Sequence, residues 1–384
     1  MKTEKMMKQL FLTSCLLPLL SINALQAQES QNDFKPHGKL SGKVFGDYYY
    51  KAHADSLERG NYQYSGIAKD ENAFELRRVQ LGYQYHISKK FTGEVLVELD
   101  GATTSKKMGL YIKYANLQWK NIFPNSNLIV GATQTPTFST VTEKYWEYRH
   151  VEKMAEDMHG STSYDLGVRL EGSFDKKKNY GYNLMVGNGT GVKAENNRSK
   201  KVYSEVYGKF LDKKLVVDLY ADYERKKWED GLKQSSSLWK IFAAYSGEKI
   251  TVGAGIYLNR FQNGIGIDNP NNPQNNDTLS GTSLGFSSFV RGPIVQNKFA
   301  FFARYDYINP YIQSMNNELN YEGLHSNLNP NVKESFITAG IDYSPVKNVH
   351  LIPNIWYQSF SNKNSINSNR DYDLAYRLSI YYKF

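Results

Sequence analysis

The sequence predicts an all-β fold, a transmembrane antiparallel β-barrel of about sixteen strands with a partly helical constriction loop. Three observations carry that prediction. Segments of about ten residues alternate apolar and polar side chains at period two. No stretch beyond the N-terminus holds the roughly twenty apolar residues that a membrane-crossing helix needs. Aromatics are 14% of the 384 residues, with 30 Tyr, 19 Phe and 5 Trp, whereas disordered chains are poor in them.

At the N-terminus, Lys2, Lys5 and Lys8 precede an apolar run from Leu10 to Leu20, and Ala24-Leu25-Gln26-Ala27 follows it. A basic start, a short apolar run and small residues predict a signal peptide over 1–27, leaving 28–384 as a single outer-membrane barrel. Leu12-Thr13-Ser14-Cys15 resembles a lipoprotein box, but the apolar run continues past Cys15, which favours cleavage near Ala27. Cys15 is the sole cysteine, so disulfide frameworks and Cys-ligated metals are excluded. The formal charge of +9 falls to +7 when Lys2, Lys5, Lys8 and Glu4 leave. The remaining basic residues are scattered among acidic ones rather than clustered, which argues against a nucleic-acid partner.

The last segment shows the alternation most clearly. Leu374, Tyr376, Leu378, Ile380, Tyr382 and Phe384 occupy one face, and Asp373, Arg377, Ser379 and Lys383 the other. Comparable segments fall near 39–52, 74–87, 91–102, 109–119, 127–135, 163–174, 179–188, 200–211, 214–225, 236–246, 249–261, 281–292, 297–308, 333–343, 347–359 and 371–384. Short connections at 88–90, 175–178, 212–213, 247–248 and 344–346 alternate with longer ones at 53–73, 136–162, 189–199, 226–235, 262–280, 309–332 and 360–370. Short turns at one end and long loops at the other are the barrel arrangement, with both termini on the periplasmic side. The short connection near 104–107 breaks this rhythm, and a merged strand there would change the count.

Tyr48, Tyr49, Tyr50, Tyr83, Tyr85, Trp119, Tyr180, Tyr182, Tyr381 and Tyr382 sit near strand ends, where barrels carry aromatic girdles; cross-strand aromatic pairing would place them similarly. The loop over 135–162 differs from the others. Val141, Tyr145, Tyr148, Val151, Met154 and Ala155 recur at helical spacing, beside Glu143, Lys144, Glu147, Arg149, Glu152 and Lys153. That pattern predicts a loop folded into the lumen to narrow it; the alternative is an external loop that forms a lid or packs on a neighbouring subunit. The strand faces opposite the apolar ones offer Arg78, Glu94, Glu98, Asp100, Asp165, Arg169, Glu171, Arg304 and Arg377 as pore-lining candidates. With both signs present, the lining predicts weak ion preference, Arg78 and Arg169 facing loop carboxylates such as Glu147 and Glu152.

Enzymatic patterns are missing. The seven His are dispersed, and neither His-Glu-x-x-His nor Gly-x-Ser-x-Gly occurs, so no catalytic residue, metal or cofactor is expected.

Short blocks in the first half of the chain resemble the phosphate-selective porin O and P family: Phe74-Glu75-Leu76-Arg77-Arg78-Val79-Gln80-Leu81-Gly82, Asp100, Val130-Gly131-Ala132-Thr133-Gln134-Thr135-Pro136 and Tyr164-Asp165-Leu166-Gly167-Val168. Ala132-Thr133 departs from that family's pattern. The resemblance implies a sixteen-stranded, trimeric channel for ions and small hydrophilic solutes, anions such as phosphate among them, in the outer membrane of a Gram-negative bacterium. The residues also leave open a barrel with a closed lumen, whose external loops 262–280 and 309–332 bind a ligand or partner.

Overall fold

The computed structural model describes residues 34–60, 62–100, 109–159, 161–195, 198–229, 232–267, 277–313, 324–325, 332–362 and 370–384. The expected signal peptide at 1–27 and the short connection near 104–107 lie outside these residues. The chain divides at His37, and the unit Gly38–Phe384 holds the barrel. Of the first unit only 34–37 is described, where the Phe34 ring lies 5.8 Å from that of His37.

Sixteen strands form the wall among the described residues: β1 (His37–His53), β2 (Asn72–His86), β3 (Phe91–Asp100), β4 (Gly109–Phe123), β5 (Ser126–Gln134), β6 (Tyr164–Ser173), β7 (Tyr180–Gly187), β8 (Lys201–Phe210), β9 (Leu215–Glu229), β10 (Leu232–Ser246), β11 (Thr251–Ile267), β12 (Asp277–Val295), β13 (Phe299–Gln313), β14 (Val332–Val346), β15 (Val349–Asn362) and β16 (Asp371–Lys383). Each pairs antiparallel with the next, and β16 returns to β1 with Tyr48 opposite Leu378, so the sheet closes. A two-residue piece, Leu324–His325, pairs with the end of β11 outside this ring. Among the described residues closure leaves none of the sixteen wall strands with a free edge, which is what a barrel in lipid requires.

The period-two pattern sorts side chains as expected. On β6, Leu166 and Val168 are 42% and 44% exposed outwards, while Asp165 and Arg169 are 0% and 3% exposed inside. On the outside, Ile241 of β10 stands between Leu219 of β9 and Ile256 of β11, an apolar cross-strand row. Tyr48, Tyr50, Tyr83, Tyr85, Tyr180 and Tyr382 are exposed on the wall, as a girdle needs. Tyr49 and Tyr381 are buried: odd-numbered positions of β1 and β16 face inwards, so these two rings join the interior instead.

Several sequence expectations change. The connection expected at 262–280 shortens, because β11 runs to Ile267 and β12 starts at Asp277, and β13 runs to Gln313 into the connection expected at 309–332; 268–276, 314–323 and 326–331 lie outside the described residues. The long connection at 226–235 is replaced by strand, since β9 runs to Glu229 and β10 starts at Leu232. Lys226, Lys227 and Glu229 read as loop residues, yet backbone pairing of Lys233 with Trp228 continues the ladder through them. The connection at 53–73 folds inwards, as described below. Elsewhere the short turns rely on Asn: Asn125, Asn297 and Asn348 hold φ of 58°, 59° and 68°, a left-handed conformation that Asn tolerates. Gly131 in β5 has φ of 120°, and a Cβ there would meet the Ala115 carbonyl oxygen at 2.2 Å. Only glycine lets β4 and β5 approach at that point.

Candidate functional site: the lumen

The loop between β5 and β6 enters the barrel and packs on the inner wall. It carries two short helices, α1 (Thr142–Trp146) and α2 (Ala155–Met158), in place of one continuous helix. Glu147, at φ 62°, ends the first. Phe138, Val141, Trp146, Val151 and Met154 are buried against Val216, Phe242, Ala244, Phe289, Phe302 and Ile352, inner-face residues of β9 to β15. The Trp146 ring lies 5.3 Å from Phe289 and 5.9 Å from Phe302. Burial of each such apolar side chain contributes roughly 1.5–3 kcal/mol, enough to hold the loop as part of the core.

Charged residues of the wall are sealed beneath the loop. Lys240 of β10 lies 3.0 Å from Asp218 of β9 and donates to the Thr137 carbonyl and, at 2.8 Å, to the Thr142 hydroxyl. Glu205 of β8 accepts from the Thr140 hydroxyl at 2.6 Å and from the Asn183 amide at 2.5 Å. Arg304 pairs with Asp306 at 2.5 Å, and its guanidinium lies 5.2 Å from the Trp146 ring centroid. Arg377 donates to Asn354 at 2.7 Å and lies 3.8 Å from Glu152, whose carboxylate also accepts from the Trp356 indole N–H at 2.8 Å.

Within the loop, Arg149 joins Glu143 and Asp157; burial works against its charge, but these carboxylates outweigh it and raise its pKa. Glu156 is buried, which pushes its carboxyl above the usual range despite Lys240 nearby. His150 stacks on Tyr381 at 4.1 Å; burial, with His350 and Arg77 adding positive charge, holds its pKa well below 6.5.

The wall from β2 to β6 faces an open space instead. A cavity of about 280 Å³ lies there, lined by Glu94, Asn116, Gln134, Arg169 and Glu171 of the wall and by Lys144 of α1. Gln84, Thr92, Tyr114, Gln118 and Thr133 add further polar groups. Both signs of charge and several amides share this surface, so it can exchange hydrogen bonds with a hydrated ion or a polar solute.

Of the sequence-derived candidates, Glu94, Arg169, Glu171 and Lys144 meet at this cavity. Arg78 pairs with Glu98 and Asp100 at 3.3 Å each, and Lys113 of β4 reaches Glu98 at 2.9 Å. Asp165 accepts the backbone N–H groups of Gly189 and Gly191 and the Tyr203 hydroxyl, fastening the next loop. Arg304 and Arg377 are buried under the inward loops. The expected facing of Arg78 and Arg169 with Glu147 and Glu152 does not form: Arg169 meets Glu171 at 2.9 Å, and Glu147 meets Arg291 at 2.9 Å. Lys153 donates its backbone N–H to Glu152. Lys113, Glu205 and Lys240 join the inner charges as well; of these, Lys240 had a clear sequence signal, an inward position between the outward Trp239 and Ile241, whereas Glu205 follows Ser204 and Lys113 sits beside the inward Tyr114. Among the described residues no group of His, Cys, Asp and Glu is arranged to hold a metal ion.

No protein-family model and no curated protein sequence matches the chain. Solved structures do. The outer membrane channel DcaP of Acinetobacter baumannii is similar over 92% of this chain and 99% of its own, at 14% identity and a TM-score of 0.62. An anion-selective porin from Comamonas acidovorans is similar over 91% and 100%, at 11% identity and TM-score 0.58. The trimer form of OmpT, an outer membrane protein of Vibrio cholerae, matches over 91% and 100%, at 11% identity and TM-score 0.56. At these identities the likeness is one of fold, and that fold is the sixteen-stranded barrel of outer-membrane porins.

Proposed function

We propose that the chain is an outer-membrane porin, a water-filled channel for passive diffusion of ions and small hydrophilic solutes, with no catalytic step. The observation that carries this reading is the polar cavity between α1 and the β2–β6 wall, inside a barrel whose outer face is apolar. Export follows from the signal peptide at 1–27, and the outer face meets outer-membrane lipid. The inward loop supplies the constriction, and Lys144 together with Glu94, Arg169 and Glu171 lines the path; further towards the long-loop end Arg78 and Glu98 are a buried pair, and Asp100 is the exposed member of that cluster. A homotrimer fits the likeness to a barrel described in trimer form.

Selectivity is weak in this reading. The resemblance to the phosphate-selective porins and the likeness to an anion-selective one favour anions, but two acids and two bases share the cavity, and a ring of one sign is what fixes the permeant ion. The test is planar-bilayer conductance with reversal potentials in a salt gradient. Stable steps with a reversal potential near zero support the reading, and strong anion selectivity blocked by phosphate contradicts it.

One observation favours the second reading, a closed barrel that binds ligands through its external loops. Two loops fill much of the interior beside β14, β15, β16 and β1, where Tyr64, Trp356, Phe336 and Lys51 are fully or almost fully buried. Well-folded, heat-modifiable protein that is silent in bilayers would decide for it.

A further inference from the structure

The connection between β1 and β2 is bound into the barrel mouth at several points. The backbone N–H groups of Asp55 and Ser56 donate to Asp373 and Asp371 of β16 at 2.9 and 2.8 Å. Arg59 reaches Asn362 of β15 at 3.0 Å and is itself held by Asp55 at 2.7 Å. Lys51 of β1 donates to the Tyr64 carbonyl at 2.6 Å. These ties bring the Tyr62 and Tyr64 rings to 6.4 and 5.2 Å from Trp356, an inner-face residue.

Tyr62 is placed differently from Tyr64. Its hydroxyl donates to Glu334 of β14 and lies 2.8 Å from Nε2 of His159, the residue that ends α2. The other ring nitrogen of His159 lies 2.6 Å from the Ala155 carbonyl oxygen at the start of that helix. One hydroxyl thus bridges the first loop, the constriction loop and the wall.

We infer that Tyr62 is a positioning residue: through His159 it holds the α2 end of the constriction loop, so that the first loop controls how far the constriction moves. The geometry explains why a loop at the mouth is fastened at so many points, since a mobile first loop could not fix α2. Both partners are themselves buried and each has a second contact, His159 with the Tyr257 hydroxyl at 3.3 Å and Glu334 with the Gln358 amide at 3.1 Å, so the Tyr62 hydroxyl completes a buried cluster that ties α2 to the wall. The functional consequence rests on the pore reading above; the structural coupling does not.

The full chain, folded in detergent, gives the test. Hydrogen exchange is followed in peptides covering 152–163 for wild type, Tyr62→Phe and Tyr48→Phe, the last removing an outer-face hydroxyl that contacts Asn72. Tyr62→Phe is expected to speed exchange in those peptides by about fivefold or more, the effect of losing a buried hydrogen bond, and Tyr48→Phe to leave it unchanged. In bilayers, Tyr62→Phe should raise open-state current noise with little change in mean conductance, a split that general loss of stability would not give. Should Tyr62→Phe not fold, Glu334→Gln, which keeps the ring and the His159 contact, is expected to show a smaller rise in the same peptides. Unchanged exchange in the folded variant overturns the inference. If wild type is silent in bilayers while the exchange shift appears, the pore reading fails and the coupling stands.

Discussion

The indole N–H of Trp356, on the inner face of β15, donates to the Glu152 carboxylate of the loop between β5 and β6 at 2.8 Å. Wall and loop are joined here by a fully buried donor and a charged acceptor. Trp356→Phe keeps most of the ring and removes the donor, leaving Glu152 with Arg377 at 3.8 Å. The expected cost is roughly 1.5–3 kcal/mol, the worth of a buried hydrogen bond to a charged group. It is read as a lower urea midpoint for the heat-modifiable form, and an unchanged midpoint would show the bond to be dispensable.

Lys240→Met should be more damaging. Asp218 and Glu205 then share a buried region without their cation, and breaking one side of a buried ion pair costs about 3–5 kcal/mol. The double variant Lys240→Met with Asp218→Leu is expected to recover part of the loss in the same urea titration. No recovery would argue that Lys240 acts through its Thr137 and Thr142 bonds alone.

Charge changes at the cavity should move ion preference in opposite directions. Glu94→Gln and Glu171→Gln each shift the reversal potential towards anions, and Lys144→Glu shifts it towards cations. Reversal potentials that ignore all three would place the conducting path elsewhere.

His150 gives the loop a pH dependence whose sign is fixed. Its pKa in the fold lies well below 6.5, so the folded state binds fewer protons than the unfolded chain as pH falls through that value. Its neutral seat against Tyr381 contributes fully above about pH 6.5 and loses stability progressively below it. Urea midpoints should therefore decline between about pH 7.5 and 5.5 in wild type. In His150→Gln the decline should be shallower, and equal slopes would remove His150 from the account.

Ile241, 61% exposed near the middle of β10, tests the outer face. Ile241→Arg is expected to lower folding stability in lipid vesicles by about 2–4 kcal/mol, with little effect in detergent where the head group reaches water. An equal loss in both media would mean that the residue serves packing within the protein.

Strand positions were legible because period two survives wherever one face is apolar, as at Leu166 and Val168 beside Asp165 and Arg169. The helical spacing of Val141, Tyr145 and Tyr148 pointed to helix in this loop, of which two short pieces form, with a left-handed Glu147 ending the first; it did not by itself distinguish an inward loop from an external one. The first loop was not. Asp55, Arg59, Tyr62 and Tyr64 look like any polar connection, and their partners Asp373, Asn362, Glu334 and Trp356 lie far along the chain. The fate of the inner charges was hidden for the same reason: Arg304 and Arg377 sit at lumen positions, and whether water or a loop covers them depends on tertiary packing alone.

Lys51 of β1 and Asp373 of β16, 322 positions apart in sequence, meet at 2.5 Å across the seam that closes the barrel. That seam cannot form until nearly the whole chain is present, so β1 keeps a free edge, open to wrong pairing, until β16 is in place. Contacts of such high sequence separation slow folding, because chain closure costs entropy before the ladder repays it. Joining β1 to β16 is therefore the step that removes the last free edges of the sheet.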